Sequence, residues 1–204
     1  MIDGSRLVTI PRILSTTGGN AETRDLYFAY GANMNLQQIG SRCSRPVAVS
    51  IARLADHRLA FYGYNGVWDG ALETVEPMAG AEVWGVLFAL SRLDWERLDE
   101  WQGARMDGGG MYFHFPITVT DQDGSAAGAR MYKKDINGSA QYPSQEYLDH
   151  IVRGASENGL PPDYIETLMK WKSRKASYSV PMRSGYDLAA SAGFSCADCP
   201  TDAA

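Results

Sequence analysis

Leu26-Tyr27-Phe28-Ala29-Tyr30-Gly31-Ala32-Asn33-Met34 is a compact apolar and aromatic run broken by a glycine, the pattern of a buried strand that ends in a close turn. A glycine at the mouth of a strand lets the chain turn tightly, and free backbone amides at the start of the next helix attract carboxylates. On its own, Tyr30-Gly31-Ala32-Asn33 also reads as a plain strand-to-helix turn. Outward from this first core strand, apolar periodicity predicts further strands over 58–64, 82–90, 112–120 and 127–133. Asp121-Gln122-Asp123-Gly124 supplies hairpin turn chemistry between the last two. Helical spacing fits 33–41, 92–102, 144–158 and 161–172, the last opening on proline, whose missing amide hydrogen costs little there. Helices and strands mix without βαβ alternation, so the expected fold is α+β around a curved or closed sheet.

With 204 residues, 45% of them hydrophobic, the chain suits one well-buried core and is short for two. The expected organisation is an N-terminal arm over 1–25, one domain over 26–172 and a C-terminal tail over 173–204. The arm is rich in Ser, Thr, Gly and Asn, with Leu7-Val8-Thr9-Ile10 as a candidate edge strand. The tail, dominated by Ser, Ala, Gly and Pro, is not expected to form a core of its own; it should lie on the domain or on a neighbouring chain.

A formal charge of −5 with no block of Lys or Arg argues against nucleic acid or an anionic membrane as primary partner. No apolar run approaches the ~20 residues that span a bilayer, and no secretory signal pattern opens the chain. A cytoplasmic protein acting on a small molecule is expected, with a homodimer as an allowed assembly. Cys43, Cys196 and Cys199 are too few and too odd for a disulfide scaffold. His57, His114 and His150 show no paired ligand spacing, and Cys196-Ala197-Asp198-Cys199 lacks a second ligand pair, so no metal site is expected.

One helix carries the chemical question. Ser91 followed by Asp94 forms a capping-box pattern, and Gly103 suits a left-handed C-terminal cap. Trp95, Leu98 and Gln102 then share one stripe, while Arg97 and Glu100 point further round. A carboxylate at position 102 would feel desolvation and the negative end of the helix dipole, both of which raise its pKa. The residue there is an amide, which serves equally well to hydrogen-bond loose carbonyls near the cap.

Taken together, residues 26–34, Ala52-Arg53-Leu54, Glu82-Val83-Trp84-Gly85-Val86, Leu98-Asp99-Glu100-Trp101-Gln102-Gly103, Gly110-Met111-Tyr112 and the stretch 147–164 with Glu157-Asn158-Gly159-Leu160-Pro161 resemble the γ-glutamylcyclotransferase family. The resemblance covers about 26–172. It implies a small mixed β-barrel with flanking helices, and an enzyme that cyclises the γ-glutamyl group of an amide or peptide to 5-oxoproline, releasing the amine. Such ring closure needs neither a metal or other cofactor nor an enzyme nucleophile.

By the same resemblance, the loop Tyr30-Gly31-Ala32-Asn33 presents backbone amides to the γ-glutamyl group, with alanine where the family has serine. Tyr112 and Tyr147 match pocket-lining tyrosines, although singly each reads equally as core packing. Trp68-Asp69-Gly70-Ala71 loosely matches a loop bordering the pocket. The family's general acid/base glutamate falls at Gln102. Glutamine keeps the shape but cannot accept a proton, so impaired turnover is expected. A ligand-trapping substitution or a natural loss of activity would leave such a change. Two other readings are a non-catalytic γ-glutamyl-binding or regulatory module and a hydrolytic γ-glutamyl amidase.

Overall fold

The computed structural model describes residues 13–15, 22–105, 107, 109–136 and 138–182, with backbone only at 13–15 and 22. Six strands run in the order β1 (Ile13–Ser15), β2 (Glu22–Ala29), β3 (Val47–Asn65), β4 (Gly70–Leu90), β5 (Tyr112–Asp121) and β6 (Ala126–Lys134). Four α-helices join them: α1 (Leu36–Arg42), α2 (Arg92–Gln102), α3 (Gln145–Glu157) and α4 (Pro162–Met169).

Five of the strands close into a mixed barrel. Neighbours run β2-β4-β3-β5-β6 antiparallel, and β6 returns to β2 in parallel at Tyr27–Arg130. Closure removes the sheet edges that would otherwise seek another chain. The short β1 adds outside β2. The expected α+β domain with a closed mixed sheet is therefore the observed architecture.

The strand expected from residue 26 is entirely apolar because it is sequestered throughout: Leu26, Tyr27, Phe28 and Ala29 are all buried. Its register with β4, from Asp25–Leu90 to Ala29–Val86, ends beside Gly85. A Cβ there would stand 2.3 Å from the Ala29 carbonyl oxygen, so only glycine lets the strands pass this closely.

Two strands are much longer than the sequence predicts. β3 begins at Val47 rather than near 58, and β4 at Gly70 rather than 82. The extra lengths pair along a bent ribbon whose register shifts between Ala55 and His57. There Asp56 takes φ 56° and accepts the Gly80 amide at 2.9 Å, with Gly80 at φ 77°. Pro77 and Gly80, which look like turn punctuation, sit at this bulge instead.

The first helix also differs. A single 3-10 turn at Ala32–Met34 comes first, and α1 then starts after Asn35, whose side chain accepts the Gln38 amide. α4 stops at Met169, short of 172. α2 matches its expected bounds, with both halves of the Ser91–Asp94 capping box formed and Gly103 left-handed at φ 58°. Trp95 and Leu98 dock its inner face, each contributing ~2–3 kcal/mol of apolar burial. Leu7–Ile10 and the Cys196–Cys199 pair fall outside the described residues. Residues 173–182 lie along the barrel, held at Arg174 by backbone bonds to Pro143 and Gln145.

Candidate active site

A cavity of about 270 Å³ opens where the end of β2, the end of α2, the β3–β4 turn and α3 converge. Ala32, Asn33, Gln102, Tyr112 and Tyr147 all line it, so five residues singled out in the sequence meet around one space. Tyr30 does not. Its hydroxyl donates to the Tyr132 carbonyl at 2.6 Å, and burial among aromatic neighbours spends the side chain on packing.

The cradle is built by the chain reversal after β2. Gly31 carries φ −129° and ψ −142°, and the Met34 and Asn35 amides are taken by the Gly31 and Ala32 carbonyls. The Ala32 amide is taken instead by a side chain of β4, the Glu73 carboxylate. α3 clamps the reversal from behind: Asn158 donates to the Met34 carbonyl at 2.8 Å, and Asn35 donates to Glu157 at 3.0 Å. Asn33 is fully engaged, donating to the Tyr27 hydroxyl and accepting from Gln38 and Arg42. Arg42 also lines the cavity, with its guanidinium 5.1 Å from the Trp101 ring centre.

Gln102 sits half-buried at the last position of α2, on the Trp95–Leu98 stripe. Glu100, expected to point elsewhere, lines the same cavity from an exposed position at its mouth. The helix ends there, and a long side chain from its last turn reaches round the rim.

The residue that sequence reasoning missed is Glu73. It lies on the early part of β4, is 6% exposed, and lines the cavity with Gln102. Its carboxylate accepts the Tyr147 hydroxyl and the Ala32 amide. It packs so closely on the cradle that a Cβ on Gly31 would stand 2.0 Å from its Oε1. The Tyr112 hydroxyl donates to the Glu73 backbone carbonyl at 3.0 Å. Burial pushes the Glu73 carboxyl above its ordinary value of 4.5; the Tyr147 and amide hydrogen bonds and the charge of Arg42 pull the other way without cancelling it. Burial likewise drives the Tyr112 and Tyr147 hydroxyls well above 10, with the nearby Glu73 charge adding to the effect. The signal in the sequence was a lone acid inside Ala71-Leu72-Glu73-Thr74-Val75, a stretch outside every expected strand and helix.

The Trp68 loop borders the cavity, as its loose match suggested. Trp68 lies 4.7 Å from the Tyr147 ring. Asp69, at φ 48°, is buried and accepts from Arg174 (2.9 Å), from the Ser177 amide (2.6 Å) and hydroxyl (2.7 Å), and from the Tyr64 hydroxyl (2.9 Å). These bonds hold its carboxyl far below the ordinary range, the Arg174 guanidinium most of all. They also tie residues 174–182 across the loop. Met182 donates its amide to Val67 at 2.7 Å and its side chain completes the cavity wall.

The arrangement offers a backbone amide that already holds one carboxylate, aromatic walls, and a desolvated carboxyl. That combination can hold an amino acid head group and move a proton.

Comparisons with known proteins give the family. The model of the AIG2-like family matches residues 82–168. The γ-glutamylcyclotransferase of Bos taurus is 36% identical over 147 residues, 70% of this chain and 76% of that protein. The Homo sapiens γ-glutamylcyclotransferase is 36% identical over 154 residues, 74% and 80% of the two chains. A solved structure of a γ-glutamyl cyclotransferase superposes with a TM-score of 0.71 at 33% identity, covering 76% of this chain and 92% of that one. The chain belongs to the γ-glutamylcyclotransferase family.

Proposed function

We propose that this chain cyclises the γ-glutamyl group of an amide or peptide to 5-oxoproline and releases the amine. The observation that carries the reading is the meeting of the Ala32 amide, Arg42, Tyr147 and a buried carboxyl around one cavity, together with the shared family. The free α-amine of the ligand attacks its own γ-carbonyl carbon, so nucleophile and electrophile arrive in one molecule. Holding the folded-back conformer can supply up to ~7–11 kcal/mol of the barrier. The cavity walls of Trp68, Leu72 and Tyr112 favour that compact shape over the extended one.

The ligand's α-carboxylate would take the Ala32 amide, with Arg42 as its nearby countercharge. Its γ-carbonyl would then face the end of α2, and the leaving amine would project to the mouth beside Trp101 and Glu100. An open, polar mouth fits leaving groups of varied size.

Gln102 favours a second reading, in which the chain binds γ-glutamyl ligands and turns them over slowly or not at all. Glu73 in the same cavity weighs against it. Incubating the chain with γ-glutamylalanine, γ-glutamylmethylamide or glutathione and measuring 5-oxoproline separates the two. Release from any of them supports the cyclase; binding by calorimetry without release supports the second reading.

A further inference from the structure

We propose that Glu73, rather than the residue at position 102, carries the protons of ring closure in this chain. This rests on the cyclase reading above and deepens it.

Place decides the matter first. The α-carboxylate and α-amine of a γ-glutamyl group share one carbon, so a ligand whose carboxylate reaches the Ala32 amide must set its ammonium beside that cradle. Glu73 is already there, against Gly31 and bonded to Ala32. As the ligand's carboxylate takes the amide, the Glu73 carboxylate is released to the adjoining ammonium, and Tyr147 keeps it oriented.

Energetics point the same way. A carboxyl buried in a cavity wall carries a desolvation cost that an apolar residue of this strand would not. Its neighbours do not abolish that cost. Tyr27 from β2, Tyr30 just past its end, Tyr112 from β5 and Tyr147 from α3 stay neutral, while Arg42 from α1 favours the charged form only in part. Glu100 and Gln102 of α2 face the same space. A carboxyl raised by burial and standing against the cradle holds a proton more readily than an exposed one, as a general acid/base must.

The steps balance. Glu73 takes one proton from the α-ammonium, and the free amine attacks the γ-carbonyl carbon to form the ring C–N bond. Protonated Glu73 gives that proton to the leaving nitrogen as the old C–N bond breaks. The carboxylate then takes the second proton from the ring nitrogen and passes it to the departing amine, which leaves as an ammonium. 5-Oxoproline remains and Glu73 is ionised again.

The test compares the wild-type chain with Glu73→Gln, Glu73→Asp, Gln102→Glu and the double variant Glu73→Gln/Gln102→Glu. Folding of each is checked by thermal midpoint, and 5-oxoproline release is followed from γ-glutamylalanine, γ-glutamylmethylamide and glutathione. The expected result is release by the wild type, a loss of about 10²–10⁴-fold in kcat for Glu73→Gln with little change in KM, partial activity for Glu73→Asp, and recovery of at least tenfold in the double variant. The acid limb of the wild-type pH profile should vanish in Glu73→Gln and return in the double variant.

Glu73→Gln within threefold of wild type, or faster than it, overturns the proposal, the latter showing a carboxylate that merely blocks the cradle. A silent wild type with an active Gln102→Glu also overturns it while leaving the cyclase reading intact. Silence of every folded form on all three substrates defeats the cyclase reading itself, and this proposal with it.

Discussion

Glu73 on β4 and Gln102 at the last turn of α2 line one cavity, the first holding a buried carboxyl and the second an amide of similar reach. The two groups approach the same ligand space from different elements. A position judged only by its counterpart in relatives would therefore misstate which groups the cavity holds.

Because burial raises the Glu73 carboxyl, the folded chain binds its proton more tightly than the unfolded chain does. The contribution of Glu73 to stability should be fully present below the ordinary value of 4.5 and should be lost as pH rises through the raised folded value. Glu73→Gln should accordingly raise the thermal midpoint at pH 8, and the gain should shrink toward pH 5. A thermal scan of both proteins across that range checks the sign.

His150 titrates in the opposite sense. Burial, with Arg153 and Arg42 nearby, lowers its imidazole from 6.5 to about 4, and its ring lies 5.2 Å from Trp68. The neutral form is the folded form, so its contribution is present above 6.5 and is lost as pH falls through about 4. His150→Phe should flatten the stability loss between those values, measured by urea midpoints at successive pH.

Gly154→Ala should destabilise the chain although alanine is the better helix former by ~1 kcal/mol. The added Cβ would stand 2.6 Å from the Asn35 amide nitrogen and 2.9 Å from the Met34 carbonyl carbon, both backbone. Overpacking of this kind costs about 1–3 kcal/mol, and it would displace the cradle. Denaturant unfolding and KM should move together.

Much of this was legible before any coordinates. α2 follows its sequence residue for residue, because Ser91, Asp94 and Gly103 punctuate it locally. The later half of β2 was equally plain, since Leu26–Ala29 are buried on both faces, whereas its start at Glu22 fell within the expected arm. The early halves of β3 and β4 were not plain either. Val47 and Val49 alternate as a strand should but face solvent, and Pro77 with Gly80 mimics a turn where the ribbon only bulges. Glu73 was hidden for a related reason. It packs against Tyr147 of α3, Tyr112 of β5 and the Gly31–Ala32 reversal, all distant in sequence. Such long-range cover has no trace in local pattern.

Arg174→Ala should loosen the strap over the cavity. It removes three guanidinium bonds to Asp69, two to the carboxylate and one to the backbone carbonyl, and weakens the path that brings Met182 to the wall. Trypsin should then cleave more readily at Lys172 and Lys175, and KM for γ-glutamylalanine should rise with kcat changed less. Equal cleavage rates in the two proteins would place the strap's hold elsewhere.

The most direct test of the central claim is the product formed in ¹⁸O-water. Cyclisation keeps the original γ-carbonyl oxygen, so wild-type protein acting on γ-glutamylalanine should yield unlabelled 5-oxoproline and free alanine by mass. Labelled glutamate as the first product would contradict the account and make the chain a hydrolytic amidase.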